Sequence, residues 1–144
     1  MVKFQHEQDE EYWQDFIKNE IDSSKSLHND IMTSLTLQNC IDLCNACAAA
    51  CNFCAAACLK EKDVNMQAKC INLDLQCAAL CYATAQLLTL DSEFADDLCK
   101  VCANVCNACA EECEKHAAMG MKHCEICAEA CRKCAEACED MVKN

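Results

Sequence analysis

The sequence predicts an all-α fold: an antiparallel up-down four-helix bundle with a cysteine-lined core, plus an N-terminal helical extension. Three observations predict it. Of 144 residues, 19 are cysteine. There is no proline and one glycine, Gly120. In three of the four cysteine groups the steps alternate between 3 and 4, averaging the period of one helix stripe that faces a neighbour, where a strand would show steps of 2.

The cysteines fall into four groups. The first is Cys40, Cys44, Cys47, Cys51, Cys54 and Cys58, and the second is Cys70, Cys77 and Cys81. The third is Cys99, Cys102, Cys106, Cys109 and Cys113, and the fourth is Cys124, Cys127, Cys131, Cys134 and Cys138. Each reads as one face of one helix. A chain rich in Ala and nearly free of Gly and Pro suits long helices. A small disulfide scaffold would need Gly and Pro for its turns.

Boundary signals separate the groups. Residues 60–65, KEKDVN, offer Asp63 as an N-cap, and residues 89–93, TLDSE, offer Asp91 or Ser92. Residues 117–121, AAMGM, hold Gly120, suited to a left-handed helix end. The expected helices run about 37–60, 66–89, 94–117 and 121–141, each roughly 30–36 Å long at 1.5 Å per residue. Short loops between near-equal helices imply antiparallel neighbours. Glu111, Glu112, Glu125, Glu129, Lys133 and Glu136 lie off the cysteine stripe and are expected outside.

Residues 1–36 contain no cysteine and are read as the helical extension; residues 37–144 are read as the bundle. Trp13, Ile17 and Ile21 make one i, i+4 stripe, and Leu27, Ile31 and Leu35 make another. One or two extra helices are expected, closing a bundle end or forming a subunit interface.

The formal net charge of −12 argues against nucleic acid, since no basic patch tracks phosphates, and it concentrates cations nearby. The N-terminus, MVKFQHEQDEEYW, carries no apolar export segment, so a cytoplasmic location with reduced thiols is the expectation. The longest uncharged run, residues 43–59, has 17 residues, including Asn45 and Asn52. It is short for a membrane span and reads as a buried helix, with no membrane partner.

Four chemistries compete for the thiols. Helix neighbours sit about 5–6 Å apart at Cβ, too far for unstrained disulfides. Six C-x-x-C pairs suggest zinc or iron–sulfur. Zinc sites, however, usually set that pair in a tight turn and close with four ligands, and no C-P follows a cluster-type run. Cysteine as a small core hydrophobe explains one or two such residues, not 19. Cu(I) is soft, prefers thiolates and accepts few ligands. Each ion also cancels one thiolate charge, so many ions, roughly one per cysteine, keep a dry core near neutral. Cu(I) is the favoured cargo, with zinc or another soft metal, or a redox-active thiol protein, as the alternative. No enzyme is expected: the Glu-x-x-His pattern of a di-iron bundle is absent before His116 and His123, where Cys113 and Gly120 stand.

In such a bundle one end collects Met66, His116, Met119, Met121 and His123, and the other Leu37, Ile41, Leu87, Leu88, Leu90 and Leu98. The first set reads as a mouth. Met thioethers and neutral imidazoles bind Cu(I) more weakly than paired thiolates, so they can take an ion from a donor and pass it inward. His116 and His123 therefore join the cysteines as candidate ligands. The plainer reading makes them solvated helix-end residues. Asp74 falls on or near the second stripe. It reads either as an edge residue reaching water or as an inward carboxylate that bonds unmetallated thiols and limits cluster growth.

The stretches CIDLCNACAAACNFCAAAC, CINLDLQCAALC, CKVCANVCNACAEECEKH and HCEICAEACRKCAEAC resemble the bacterial copper storage proteins over about residues 37–141. The resemblance implies a four-helix bundle that stores Cu(I) along its core, often in a homo-oligomer such as a tetramer. Without an export signal, the chain is most similar to the cytosolic members. The expected partners are copper ions and a copper chaperone donor.

Overall fold

The computed structural model describes residue 11 and residues 24–143; Trp13, Ile17 and Ile21 lie outside them, as do the side chains of residues 24–29. The elements are α1 (Ser24–Cys58), a 3-10 turn (Val64–Gln67), α2 (Ala68–Thr89), α3 (Ala95–Ala117) and α4 (Lys122–Lys143). No strand occurs among the described residues. Thr36–Asn144 forms one compact unit.

Three helices match their expected bounds within a residue or two. The first does not: α1 spans 35 residues against 22, 23 and 22 for the others. No Gly, Pro or cap interrupts residues 24–40, so the helix that carries Ile31 and Leu35 runs directly into the first cysteine stripe. Those two residues are exposed and belong to no separate helix. The segment Asp30–Cys58 is long and apolar enough by composition to cross a membrane. In the bundle its cysteine stripe from Cys40 to Cys58 is buried.

The core follows a heptad logic finer than the cysteine stripe alone. All 19 cysteines are buried at 0% exposure. Eight alanines directly follow core residues and are buried too: Ala48 and Ala55, Ala78 and Ala85, Ala103 and Ala110, and Ala128 and Ala135 make four pairs, one on each helix. Cysteine thus takes the a and d positions and alanine the flanking e position. These small side chains bring the helices together around the sulfurs. A Cys–Ala core removes less apolar surface per residue than a leucine core, so the copper-free bundle gains less from burial.

The two ends differ. On α2 the stripe continues past Cys81 as Thr84 and Leu88, both buried. Thr84 Oγ1 donates to the Leu80 carbonyl at 2.7 Å, which leaves no free polar group there. Leu37, Ile41 and Leu87 pack around this end, joined by Met141 and Val142 from the end of α4. Leu90, expected in the plug, is instead exposed.

Helix ends are closed mainly by backbone. Asp63 precedes the 3-10 turn, but its side chain makes no capping bond. Ser92 Oγ accepts from the Phe94 amide at 3.1 Å in the turn ahead of α3, but the cap position itself falls to Phe94, with no side-chain capping bond. Gly120 has φ +94°, and the Met121 amide donates back to the His116 carbonyl at 3.2 Å, closing α3 in a Schellman-type turn. The same turn closes α2, where the Ser92 amide donates to the Leu87 carbonyl at 3.0 Å. Here Asp91 takes the left-handed position at φ 53°, which Asp tolerates better than most residues. A Cβ at Gly120 would meet nothing within 4 Å, so the cost of Gly120→Ala is backbone strain alone, about 1–2 kcal/mol. Denaturation of the reduced, copper-free variant should show that loss, and unchanged stability would contradict the left-handed assignment.

Candidate metal centre

The four stripes meet so that sulfur contacts sulfur along the bundle. Within a helix, Cys47–Cys51 and Cys77–Cys81 lie 3.9 Å apart at Sγ. Between helices the shortest contacts are tighter: Cys77–Cys106 at 3.5 Å, Cys51–Cys131 at 3.6 Å and Cys44–Cys134 at 3.6 Å. Contacts also cross the diagonal, Cys77–Cys131 at 4.0 Å and Cys81–Cys134 at 3.8 Å. The thiols therefore form a continuous lattice. All 19 are free thiols.

The lattice divides into quartets, four of which share corners in succession. Cys44, Cys102, Cys134 and Cys138 form one; Cys47, Cys81, Cys106 and Cys134 form the next and share Cys134. Cys47, Cys51, Cys77 and Cys131 follow, then Cys51, Cys109, Cys127 and Cys131, and Cys54, Cys58, Cys70 and Cys124 lie toward the 3-10 turn. The ligand atoms of each group lie within 4.8 Å of one another. Metal–thiolate bonds of about 2.3 Å place two sulfurs on one ion up to about 4.6 Å apart, so small shifts suffice to seat ions between these thiols.

Asp74 is 0% exposed, which overturns the reading of a stripe-edge residue reaching water. It occupies the position between Cys70 and Cys77 where a thiol would otherwise stand. Its Oδ1 accepts from Cys109 at 3.2 Å, Cys127 at 3.3 Å and Cys113 at 3.6 Å, and its Oδ2 from Cys70 at 3.8 Å. Burial, followed by the nearby thiols Cys127 and Cys70, pushes its carboxyl up to about 9. Burial likewise pushes the Cys58 thiol up, helped by Cys70 and Cys124.

At the end carrying the 3-10 turn, Cys58 Sγ lies 3.4 Å from His123 Nε2. His116 is 4% exposed, so it is no solvated helix-end residue. It is paired with Glu112, Nε2 to Oε1 at 3.2 Å. Glu112 itself is 8% exposed, a correction to its expected place on the outer face. It adjoins Cys113 at the stripe edge, and Lys69 and Lys115 draw its carboxylate over the α2–α3 seam. Met121 packs against the core, whereas Met66 and Met119 are exposed. The remaining outward charges behave as expected: Glu111, Glu125, Glu129, Lys133 and Glu136 are all exposed.

The profile of the copper storage protein family matches residues 33–143. The chain belongs to the copper storage protein family. Among solved structures, a cytosolic copper storage protein from Streptomyces lividans with five coppers is 40% identical. That match covers 78% of this chain and 97% of that one, with a TM-score of 0.75. The Streptomyces lividans protein loaded with 10 copper equivalents is 42% identical over 75% of this chain and 84% of that one, TM-score 0.72. The Cu(I)-bound copper storage protein BsCsp3 of Bacillus subtilis is 39% identical over 74% and 98%, TM-score 0.70. A search of curated protein sequences gives no significant match.

For a copper storage protein the buried carboxyl has a measurable consequence in the empty state. A carboxyl whose pKa is raised on folding binds its proton more tightly in the native state. Its contribution is full below the ordinary value of 3.8 and is lost as pH rises toward about 9. Across that window the reduced, copper-free protein should lose up to about 1.4 kcal/mol of stability per pH unit through this group. Asp74→Asn, neutral at every pH, should remove that slope. Denaturant titrations at several pH values check this, and parallel wild-type and variant profiles would contradict it.

Proposed function

We propose that the chain stores Cu(I) in the cytosol, holding on the order of one ion per cysteine, and that it acts by binding rather than catalysis. The observation that carries this is the lattice of corner-sharing thiol quartets. A closed zinc site uses its four ligands exclusively, whereas corner sharing suits an ion that accepts few ligands and tolerates bridging sulfur. Charge supports the same choice. Four thiolates around a divalent ion leave a surplus of two negative charges in a dry core, and one monovalent ion per thiolate leaves none. The cytosolic Streptomyces relative and the need for reduced thiols support the location.

In the fully reduced protein, anaerobic Cu(I) titration against a competing chelator should reach roughly one equivalent per cysteine. Saturation after one or two equivalents would end the storage reading. Retention of four or so zinc ions under copper challenge would establish zinc instead.

We further propose that the 19 cysteines are the ligands and that His116 and His123 receive copper at the mouth beside Met121. His116 stands one step beyond Cys113 on the α3 stripe, and His123 contacts Cys58. The opposite end is packed by Leu88 and its aliphatic neighbours. A donor protein would then deliver copper to the His/Met end, and a homo-oligomer that keeps this end open fits the reading. Replacing both histidines with Phe should slow Cu(I) loading and removal. Unchanged rates, or first-bound ions among Cys40, Cys99 and Cys138, would place the mouth at the other end.

A further inference from the structure

The described part of the chain has two fully shielded polar side-chain atoms without a hydrogen-bond partner, Gln67 Oε1 and His116 Nδ1. The second is unusual because the other nitrogen of the same ring is firmly engaged: Nε2 lies 3.2 Å from Glu112 Oε1. A carboxylate only accepts hydrogen bonds, so Nε2 carries the proton. A neutral ring has one proton, and Nδ1 is then a bare lone pair. The opposite tautomer would bury an N–H donor with nothing to receive it while setting a second lone pair against the carboxylate.

Glu112 is built to hold that arrangement. Its Oε2 lies 3.6 Å from Lys69 Nζ on α2 and 3.6 Å from Lys115 Nζ on α3. The carboxylate is thus anchored from two helices on its outer side and gives its inner oxygen to the imidazole. The backbone of His116 is fixed as well, since its carbonyl accepts the Met121 amide of the Gly120 turn. His123 has no such partner: its Nε2 faces Cys58 Sγ at 3.4 Å and Glu61 Oε1 only at 3.9 Å.

We propose that Glu112 is a positioning residue for copper uptake, fixing His116 in the tautomer whose unprotonated Nδ1 is presented to Cu(I). The proposal rests on the reading of His116 as a mouth ligand and adds which nitrogen binds and what holds it ready. A hydrogen-bonded carboxylate behind a ligating imidazole orients the ring and makes the free nitrogen a stronger donor. Loss of such a partner weakens metal binding about 10–100-fold.

The test uses the full-length reduced protein with 15N-labelled histidine. Without copper, long-range 1H–15N correlations should show His116 with its proton on Nε2 and none on Nδ1. On substoichiometric Cu(I), the Nδ1 resonance should move while Nε2 keeps its proton. In Glu112→Ala the copper-free ring should shift toward the other tautomer or a mixture, and Cu(I) affinity at the His116 site should fall about 10–100-fold. Glu112→Gln preserves side-chain size and offers either a donor or an acceptor; a mixed tautomer is expected there, and helicity checks folding of both variants. A wild-type ring protonated on Nδ1, or an unchanged tautomer and unchanged affinity in both variants, would overturn the proposal. The copper-free tautomer needs no copper storage to be read. If wild-type capacity fails, the storage reading falls while the tautomer result stands by itself.

Discussion

The structure depends on one electrostatic constraint: a dry core can hold thiols only while they are neutral, either as S–H or as thiolates matched by cations. All 19 cysteines are fully buried, at spacings where unpaired thiolates would repel strongly in a low dielectric. In the empty protein the proton supplies neutrality. Copper loading is then a replacement of protons by monovalent ions, one for one. A divalent ion meets the same constraint only by leaving thiols protonated or the site charged. The number of ions and their valence both follow from keeping this interior near zero charge.

The architecture serves that constraint in simple ways. Alanine beside each core turn lets four helices close around the sulfurs without bulky side chains. Thr84 and Leu88 end the thiol lattice on α2, and aliphatic residues seal that end. Asp74 is the exception within the lattice. A buried carboxyl surrounded by four thiols stays protonated until something draws its proton away. It can therefore take up or release a proton within the thiol lattice. At the other end, Glu112 bridges the α2–α3 seam, drawn by Lys69 and Lys115 and paired with His116.

Much of this was legible in the sequence, because the cysteine period and the helix period coincide. The steps of 3 and 4 point the cysteines of α1, α3 and α4 to the core, the step of 7 from Cys70 to Cys77 keeps the same face on α2, and Gly120 marks a left-handed turn. Asp91 did the same work without the glycine signal, since its backbone conformation follows from the turn and not from its side chain. The inward residues were harder. Asp74 sits on the stripe, but a lone carboxylate is ordinarily solvated, and only its four thiol partners make burial tolerable. Glu112 was assigned to the outside by its charge. The available clue was its spacing: it lies four residues before His116 and so shares that residue's face. The long α1 was hidden for the opposite reason. The onset of cysteine at Cys40 marks where the core begins, and the helix itself begins earlier, at Ser24, because nothing in between breaks it.

The central claim is that bound ions share bridging thiolates in one continuous lattice. Copper K-edge X-ray absorption on the reduced protein at increasing loading reads this directly. The account predicts Cu(I) with a first shell dominated by sulfur and copper–copper back-scattering that grows with loading. Isolated ions without copper neighbours near saturation, or a first shell dominated by oxygen or nitrogen, would contradict it.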